Sequence, residues 1–226
     1  MTRPERIGIF GGTFNPVHSG HVRAAALVGK RFGLDRVLFV PSSIPPHKET
    51  AAVAPARDRM AMVERALRRH RRLVASPIEI EAGGTSYSIV TLDAIRRRHP
   101  GAAIFFLLGV DAFLEIRTWR EWRRVLERCR FIVMTRPGRR LSAARGALDI
   151  GFRDAFFEVT PGTRLDEGVL TAHRIFLAPI AALDISSTDI RARVRAGRPI
   201  RGLVPASVAA YIAERGLYRS RRPDIP

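Results

Sequence analysis

"IGIFGGTFNPVHSGHV", residues 7–22, decides how this chain is read. A short apolar burst over 7–10 runs into Gly11 and Gly12, and an amphipathic, helix-like stretch runs out from His21. A strand that meets a glycine turn and then a helix lets the backbone turn sharply and approach a ligand with no side chain between them. His18 and His21 are three apart where the helix begins, so both imidazoles fall on one face. A helix start also offers backbone N–H groups and the positive end of the helix dipole, which favour phosphate. Two imidazoles on that edge can bond the oxygens of a phosphoryl group under attack. No Gly-Lys-Ser/Thr follows the glycines, which excludes a P-loop, and no Gly-x-Gly-x-x-Gly is present, which argues against a redox dinucleotide here.

Outward from this turn, apolar bursts of strand length alternate with longer amphipathic stretches. Strands are expected over 6–10, 36–40, 73–80, 103–108, 131–135 and 174–178, and helices over 21–32, 56–69, 88–98, 119–128, 187–196 and 205–214. That alternation predicts an α/β fold, a doubly wound parallel sheet whose strand-to-helix loops gather on one edge, where ligands bind. The proline-stiffened "VPSSIPPHKE" (40–49) leaves the second strand as a loop. Residues 136–172 have the weakest periodicity and read as a mobile excursion. With no repeat or linker, 1–226 reads as one domain, with a core over 6–182 and a helical C-terminal subregion over 183–220.

Composition narrows the classes. Lys30 and Lys48 are the only lysines among 39 basic residues, so 37 arginines carry most of the +18 formal charge. They are spread along helical stretches rather than gathered in a tail, which predicts a solvated basic surface that steers small anions, not a nucleic-acid binder. The longest apolar run, 102–110, falls well short of the roughly 20 residues that cross a bilayer. No signal-peptide pattern is read at the N-terminus. Cys129 is the only cysteine, which fits a reducing cytoplasm and rules out an intramolecular disulfide.

A second stretch, "DISSTDIRARV" (184–194), puts Ser186, Ser187 and Thr188 at a helix start with Arg191 one turn in, a suitable cradle for a triphosphate or its pyrophosphate leaving group. His18-Ser19-Gly20-His21 resembles the first signature of the nucleotidylyltransferase superfamily, and Ile185-Ser186-Ser187-Thr188 with Arg191 resembles its second. "VPSSIPPHK" (40–48), "GGTSYSIVTLDAIRRRHP" (83–100), "LLGVDAFLEIRTWREW" (107–122) and "FIVMTRPG" (131–138) are similar to the bacterial nicotinate-nucleotide adenylyltransferases. The likeness runs from about residue 7 to 218 and is least between 138 and 183.

The resemblance implies a Rossmann-like nucleotidylyltransferase fold and a reaction: nicotinate mononucleotide plus ATP gives deamido-NAD and pyrophosphate, with Mg2+ held by the ATP phosphates and no metal ligand from protein side chains. It also implies roles. Gly11, Gly12, Thr13 and Phe14 would shape the floor where the phosphates of both nucleotides meet. His18 and His21 would be catalytic and bind the ATP phosphates, with Asp111 on ribose hydroxyls and Ser186, Ser187, Thr188 and Arg191 on the triphosphate. Thr13, Ser43, Lys48, Thr85, Trp119 and Arg136 would bind nicotinate mononucleotide, Trp119 by stacking on the pyridine. Attacker and leaving group are both phosphates, so alignment and charge stabilisation are what the protein must supply. Trp122 reads as core packing, and Asp111 reads equally as a helix N-cap.

Three positions depart from the family pattern: Asn15 where many members have Asp, Ser43 where an amide is common, and Arg120 where many have Tyr. ATP and nicotinate mononucleotide are therefore the expected partners, with no nucleic acid and no membrane; a homo-oligomer is compatible with the sequence, which does not determine the assembly. A phosphopantetheine-type adenylyltransferase shares the first signature, but the "GGTSYS" and "TWREW" stretches fit a flat aromatic acid better. An aminoacyl-tRNA synthetase would need a Lys-Met-Ser-Lys-Ser-like loop, which is missing. A non-catalytic basic nucleic-acid module would explain neither signature.

Overall fold

The structure, a computed structural model, describes residues 3–45, 53–135, 141–148, 150–180 and 184–219. Among the described residues, seven strands form one sheet: β1 (Arg6–Gly12), β2 (Arg36–Pro41), β3 (Leu73–Ala75), β4 (Ala103–Gly109), β5 (Arg130–Thr135), β6 (Phe156–Glu158) and β7 (Ile175–Pro179). Around it lie α1 (Ser19–Arg31), α2 (Ala56–Leu67), α3 (Ile78–Ala82), α4 (Ser88–Arg98), α5 (Val110–Leu114), α6 (Trp122–Arg128), α7 (Leu141–Gly146), α8 (Glu167–Ala172), α9 (Ser187–Arg195) and α10 (Ala206–Glu214). Every strand pair is parallel, in the order β3-β2-β1-β4-β5-β7-β6. The chain builds outward from β1 to β3, then returns to lay β4 on the other side of β1. That reversal opens a crevice beyond the carboxyl ends of β1 and β4, where open α/β sheets bind ligands.

Both faces of the sheet are covered, which is why its strands read as continuous apolar runs. Alternate residues feed two cores: Phe10, Val37, Phe39, Phe105 and Leu107 pack with Val28, Phe32 and Met62 on one face. Ile7, Ile9, Leu38, Ile104 and Phe106 pack with Ile89, Leu92 and Phe113 on the other. The C-terminal helices join the first core through Ile190, Val208 and Ile212. Tyr211 and Ser207 add hydrogen bonds from α10 to Asp58 and to the carbonyl of Arg65 on α2. No helix among the described residues is long and apolar enough to cross a membrane.

Three expected elements change. The strand read over 73–80 stops at Ala75, because Pro77 has no N–H for the ladder and instead opens α3, with Glu79 and Glu81 in its first turn. The alternating "IEIE" that mimicked a strand is helical. The helix read over 119–128 starts only at Trp122, since Glu121 sits in the left-handed region at φ 52° and interrupts it. Within the poorly periodic 136–172 segment lie α7, β6 and α8; β6 is a three-residue edge strand, too short to show a pattern of its own.

Candidate active site

β1 ends at Gly12, and the chain then turns through 13–18 into α1. An added Cβ at Gly12 would lie 3.2 Å from the ring of Phe14, tighter than ordinary contact, so that ring would have to give by a few tenths of an ångström. Phe14 itself takes a left-handed φ of 48° and is buried against Phe10, Phe39 and the edge of His21. His18 is the N-cap of α1. Its Nδ1 accepts from the His21 backbone N–H at 3.3 Å, and His21 Nδ1 accepts from the His18 N–H at 3.2 Å, with the two rings stacked 3.5 Å apart. This is a capping box built from imidazoles. With each Nδ1 used as an acceptor, the proton of each neutral ring sits on Nε2, a donor. The sequence spacing thus produces a rigid pair whose tautomers are set by the helix start.

Near the other end of the chain, Ser186 caps α9 by accepting from the Thr188 N–H at 3.2 Å. Ser187, expected among the capping hydroxyls, does something else: its Oγ donates to the Pro16 carbonyl at 2.9 Å. Arg191 Nη1 donates to the Asn15 carbonyl at 2.9 Å, and Nη2 reaches Thr188 Oγ1 at 3.4 Å. Arg191 Nε is buried, with no hydrogen-bond partner among the described residues. Asn15 is 5% exposed, and its Oδ1 accepts from the Ala54 N–H and the Tyr218 hydroxyl. The two signatures, more than 160 residues apart in sequence, therefore meet at the carbonyls of residues 15 and 16. The start of α9 faces the imidazole turn across that seam.

A third group lies beyond β2. The Ser43 N–H donates to Ser86 Oγ at 2.8 Å, the Ser86 N–H donates to the Ile44 carbonyl at 3.0 Å, and Ile44 pairs with Thr85 in an isolated bridge. Ser43 and Thr85, both expected at the mononucleotide end, are thereby brought together. Gly83 and Gly84 carry φ of 68° and 65°, which presents Thr85 on a turn that other residues would strain. Beneath the turn, the half-buried Glu79 accepts from Thr91 Oγ1 at 2.5 Å. Burial raises the Glu79 pKa, against the opposing pull of hydrogen bonds from Thr91 and Ser86 and the charge of Arg59. Trp119 is half-buried, edge-on to Phe106 at 5.6 Å, in the turn before α6 rather than at the start of a helix. The guanidinium of its neighbour Arg120 lies 5.0 Å over the Tyr87 ring, which ties this turn to the Thr85 loop. Trp122 packs partly buried against the second core, as expected.

Asp111 is exposed on α5 just past the carboxyl end of β4; the N-cap position read for it belongs to Gly109. Lys48 and Arg136 lie outside the described residues. Among the described residues, no group of three or more His, Cys, Asp or Glu is arranged to hold a metal ion.

The cytidylyltransferase-like family model matches residues 9–193. A protein from Desulfatibacillum aliphaticivorans named "Probable nicotinate-nucleotide adenylyltransferase" is 44% identical over 94% of this chain and 99% of its own length. One of the same name from Corynebacterium glutamicum is 38% identical, covering 99% of this chain and 93% of its own. The chain belongs to the nicotinate-nucleotide adenylyltransferase family. Its fold is similar to that of the Plasmodium falciparum nicotinic acid mononucleotide adenylyltransferase complexed with NaAD, with a TM-score of 0.70 at 17% identity over 95% of this chain and 97% of that one.

For a nicotinate-nucleotide adenylyltransferase, the motifs on either side of the crevice were legible, but the side chains that hold them together were not. Arg59, 1% exposed on α2, hydrogen-bonds the carbonyls of Thr13, Ser43 and Ala54. Tyr218 and the amide of Asn15 link the C-terminus to the imidazole turn. Ser86 lies within the 83–100 motif and carries no sequence signal of its own for holding Ser43. The one available signal for Arg59 was its place between Asp58 and Met62 on the buried stripe of an amphipathic helix, where an arginine is out of pattern. The family's Asp-to-Asn departure at 15 leaves an oxygen that accepts two hydrogen bonds here, so this contact does not need a charge.

Proposed function

We propose that this protein transfers the adenylyl group of ATP to nicotinate mononucleotide, forming deamido-NAD and pyrophosphate, a step of NAD biosynthesis. Membership of the nicotinate-nucleotide adenylyltransferase family supports the reaction. The observation that supports the site is the seam of Ser187 and Arg191 on the Pro16 and Asn15 carbonyls, in the turn that leads into His18.

A phosphate oxygen of the mononucleotide attacks the α-phosphorus of ATP; the new O–P bond forms as the bond to the pyrophosphate oxygen breaks. The attacking oxygen is already anionic, so no protein nucleophile or base is required. His18 and His21 donate from Nε2 to the α-phosphate as charge builds in the transition state. The α9 backbone N–H groups, Ser186, Thr188 and Arg191 receive the β- and γ-phosphates that depart as pyrophosphate. Gly11, Gly12, Thr13 and Phe14 form the floor beneath both nucleotides, and Asp111 serves the ATP ribose. Ser43, Thr85 and Trp119 line the pyridine end, with Lys48 and Arg136 assigned to it on their motifs alone.

Magnesium fits as a companion of the polyphosphate, because phosphate oxygens and water are its preferred ligands and the imidazole and guanidinium donors here would not hold it. It would supply charge neutralisation on the triphosphate. The basic surface is read as steering for these anions rather than as a nucleic-acid face, and a cytoplasmic location fits the single buried thiol.

Initial rates of pyrophosphate release from ATP, measured with nicotinate mononucleotide, its amide and phosphopantetheine and paired with chromatographic detection of the dinucleotide, test this reading. The acid mononucleotide is expected to give the highest kcat/KM. A preference for phosphopantetheine, or no dinucleotide with either mononucleotide, overturns it.

A further inference from the structure

Among the described residues, Arg59 is the largest fully buried side chain. Its Nε donates to the Ala54 carbonyl at 2.9 Å, Nη1 to Thr13 at 3.0 Å and Nη2 to Ser43 at 2.9 Å. No carboxylate hydrogen-bonds it among the described residues, and burial lowers its pKa from the ordinary arginine range. For stability alone this is a poor use of a core position, since apolar residues of similar volume commonly do as well or better than buried charge. What an apolar residue cannot do is hold three carbonyls from separate segments at fixed spacing, which a planar five-donor fork can.

The three carbonyls belong to particular places. Thr13 is on the phosphate floor. Ser43 is on the loop whose N–H is held by Ser86 and whose next residue pairs with Thr85. Ala54 leads into α2, and its N–H holds Asn15. Among the described residues, no α9 residue hydrogen-bonds Arg59, whose three acceptors are the Ala54, Thr13 and Ser43 carbonyls. We propose that Arg59 is a positioning residue: its fork sets the distance between the phosphate floor at Thr13 and the mononucleotide loop at Ser43, and so governs capture and alignment of the acceptor nucleotide rather than binding of ATP. The inference rests on the adenylyl-transfer reading above.

The test compares wild type with Arg59→Lys, Arg59→Ala and Ser86→Ala, the last releasing the same Ser43 loop from its other side. Thermal melts establish folding. Kinetics with nicotinate mononucleotide and direct binding of a non-hydrolysable ATP analogue give the readouts. Misplacing a reacting group by an ångström costs about 10²-fold. Arg59→Lys and Ser86→Ala are therefore expected to lower kcat/KM for the mononucleotide by about 10- to 100-fold. Affinity for the ATP analogue is expected to stay within about twofold. Guanidinium ion, added at concentrations too low to unfold the protein, is expected to restore part of the lost rate to Arg59→Ala, while urea is not.

An equal loss for both nucleotides, or a folded Arg59→Lys with wild-type mononucleotide kinetics, overturns the proposal. Should neither Arg59 variant fold, Ser86→Ala decides alone, and unchanged kinetics there overturn it too. Wild type that prefers a different acceptor would instead refute the substrate assignment, and the clamp is then read with that acceptor.

Discussion

Replacing Arg191 with methionine separates what this side chain does for the fold from what it does for ATP. In the resting protein it makes one well-formed hydrogen bond across the seam, 2.9 Å to the Asn15 carbonyl, and one at the weak limit of length, 3.4 Å to Thr188 Oγ1. A charged donor on a carbonyl is worth about 1.5–3 kcal/mol, and the half-buried setting puts this one near the low end, about 1.5 kcal/mol. For a chain of this size that corresponds to a fall in Tm of about 3–6 °C. The methionine stem keeps most of the apolar contact, and Ser187 still holds the Pro16 carbonyl, so α9 remains docked. The catalytic effect is expected to be larger. Losing one electrostatic donor to the departing pyrophosphate costs about 10²–10³ in rate, or about 3–4 kcal/mol of transition-state stabilisation. Differential scanning fluorimetry and initial rates over an ATP titration at saturating nicotinate mononucleotide read the two quantities separately. A variant that melts a few degrees lower yet keeps wild-type kcat and ATP KM would show that Arg191 is only a strut, and the triphosphate assignment would fall.

Three further outcomes are expected. His18→Asn keeps a good helix N-cap while removing an imidazole, so Tm should change little while kcat falls about 10²–10³-fold; a large Tm loss with rate preserved per folded molecule would contradict the assigned role. Trp119→Ala is expected to raise KM for nicotinate mononucleotide while leaving ATP KM unchanged, because the ring lies on the Thr85 side of the crevice; equal rises for both substrates would rule out stacking on the pyridine. Asp35 is held down to about 2 by hydrogen bonds from Arg3 and the Arg6 N–H. Its contribution to stability is therefore complete above the unfolded carboxyl pKa near 3.8 and is lost as pH falls through about 2. Acid unfolding of Asp35→Asn, followed by circular dichroism, should show a shallower dependence over that window, and an unchanged profile would remove Asp35 from the account.

The sheet was legible wherever a strand was buried on both faces. β1, β2, β4, β5 and β7 each announced themselves as an unbroken apolar run, and their observed ends lie within two residues of expectation. The edges were read less well: β3 begins at 73 as expected but ends five residues early, and β6 was not read. β3 and β6 are three residues each, and at that length a strand has no period to detect, while "IEIE" showed a two-residue alternation that Pro77 turned into helix. The same limit applies at Trp119, whose helical spacing from Trp122 concealed a left-handed residue between them.

By itself the sequence determined the chemistry-bearing side chains: a histidine pair three apart at a helix start, a Ser-Ser-Thr cap with an arginine one turn on, and the alternation that makes a parallel sheet. Those signals survive in one dimension because each is local, fixed by side-chain type and by the period of its element. Tertiary structure alone decided that Ser187 and Arg191 bond the Pro16 and Asn15 carbonyls and that Arg59 ties Thr13 to Ser43. The acceptors in these contacts are mostly backbone carbonyls, which every residue carries alike. Their partners therefore cannot be read from residue type, and only the folded path of the chain selects them.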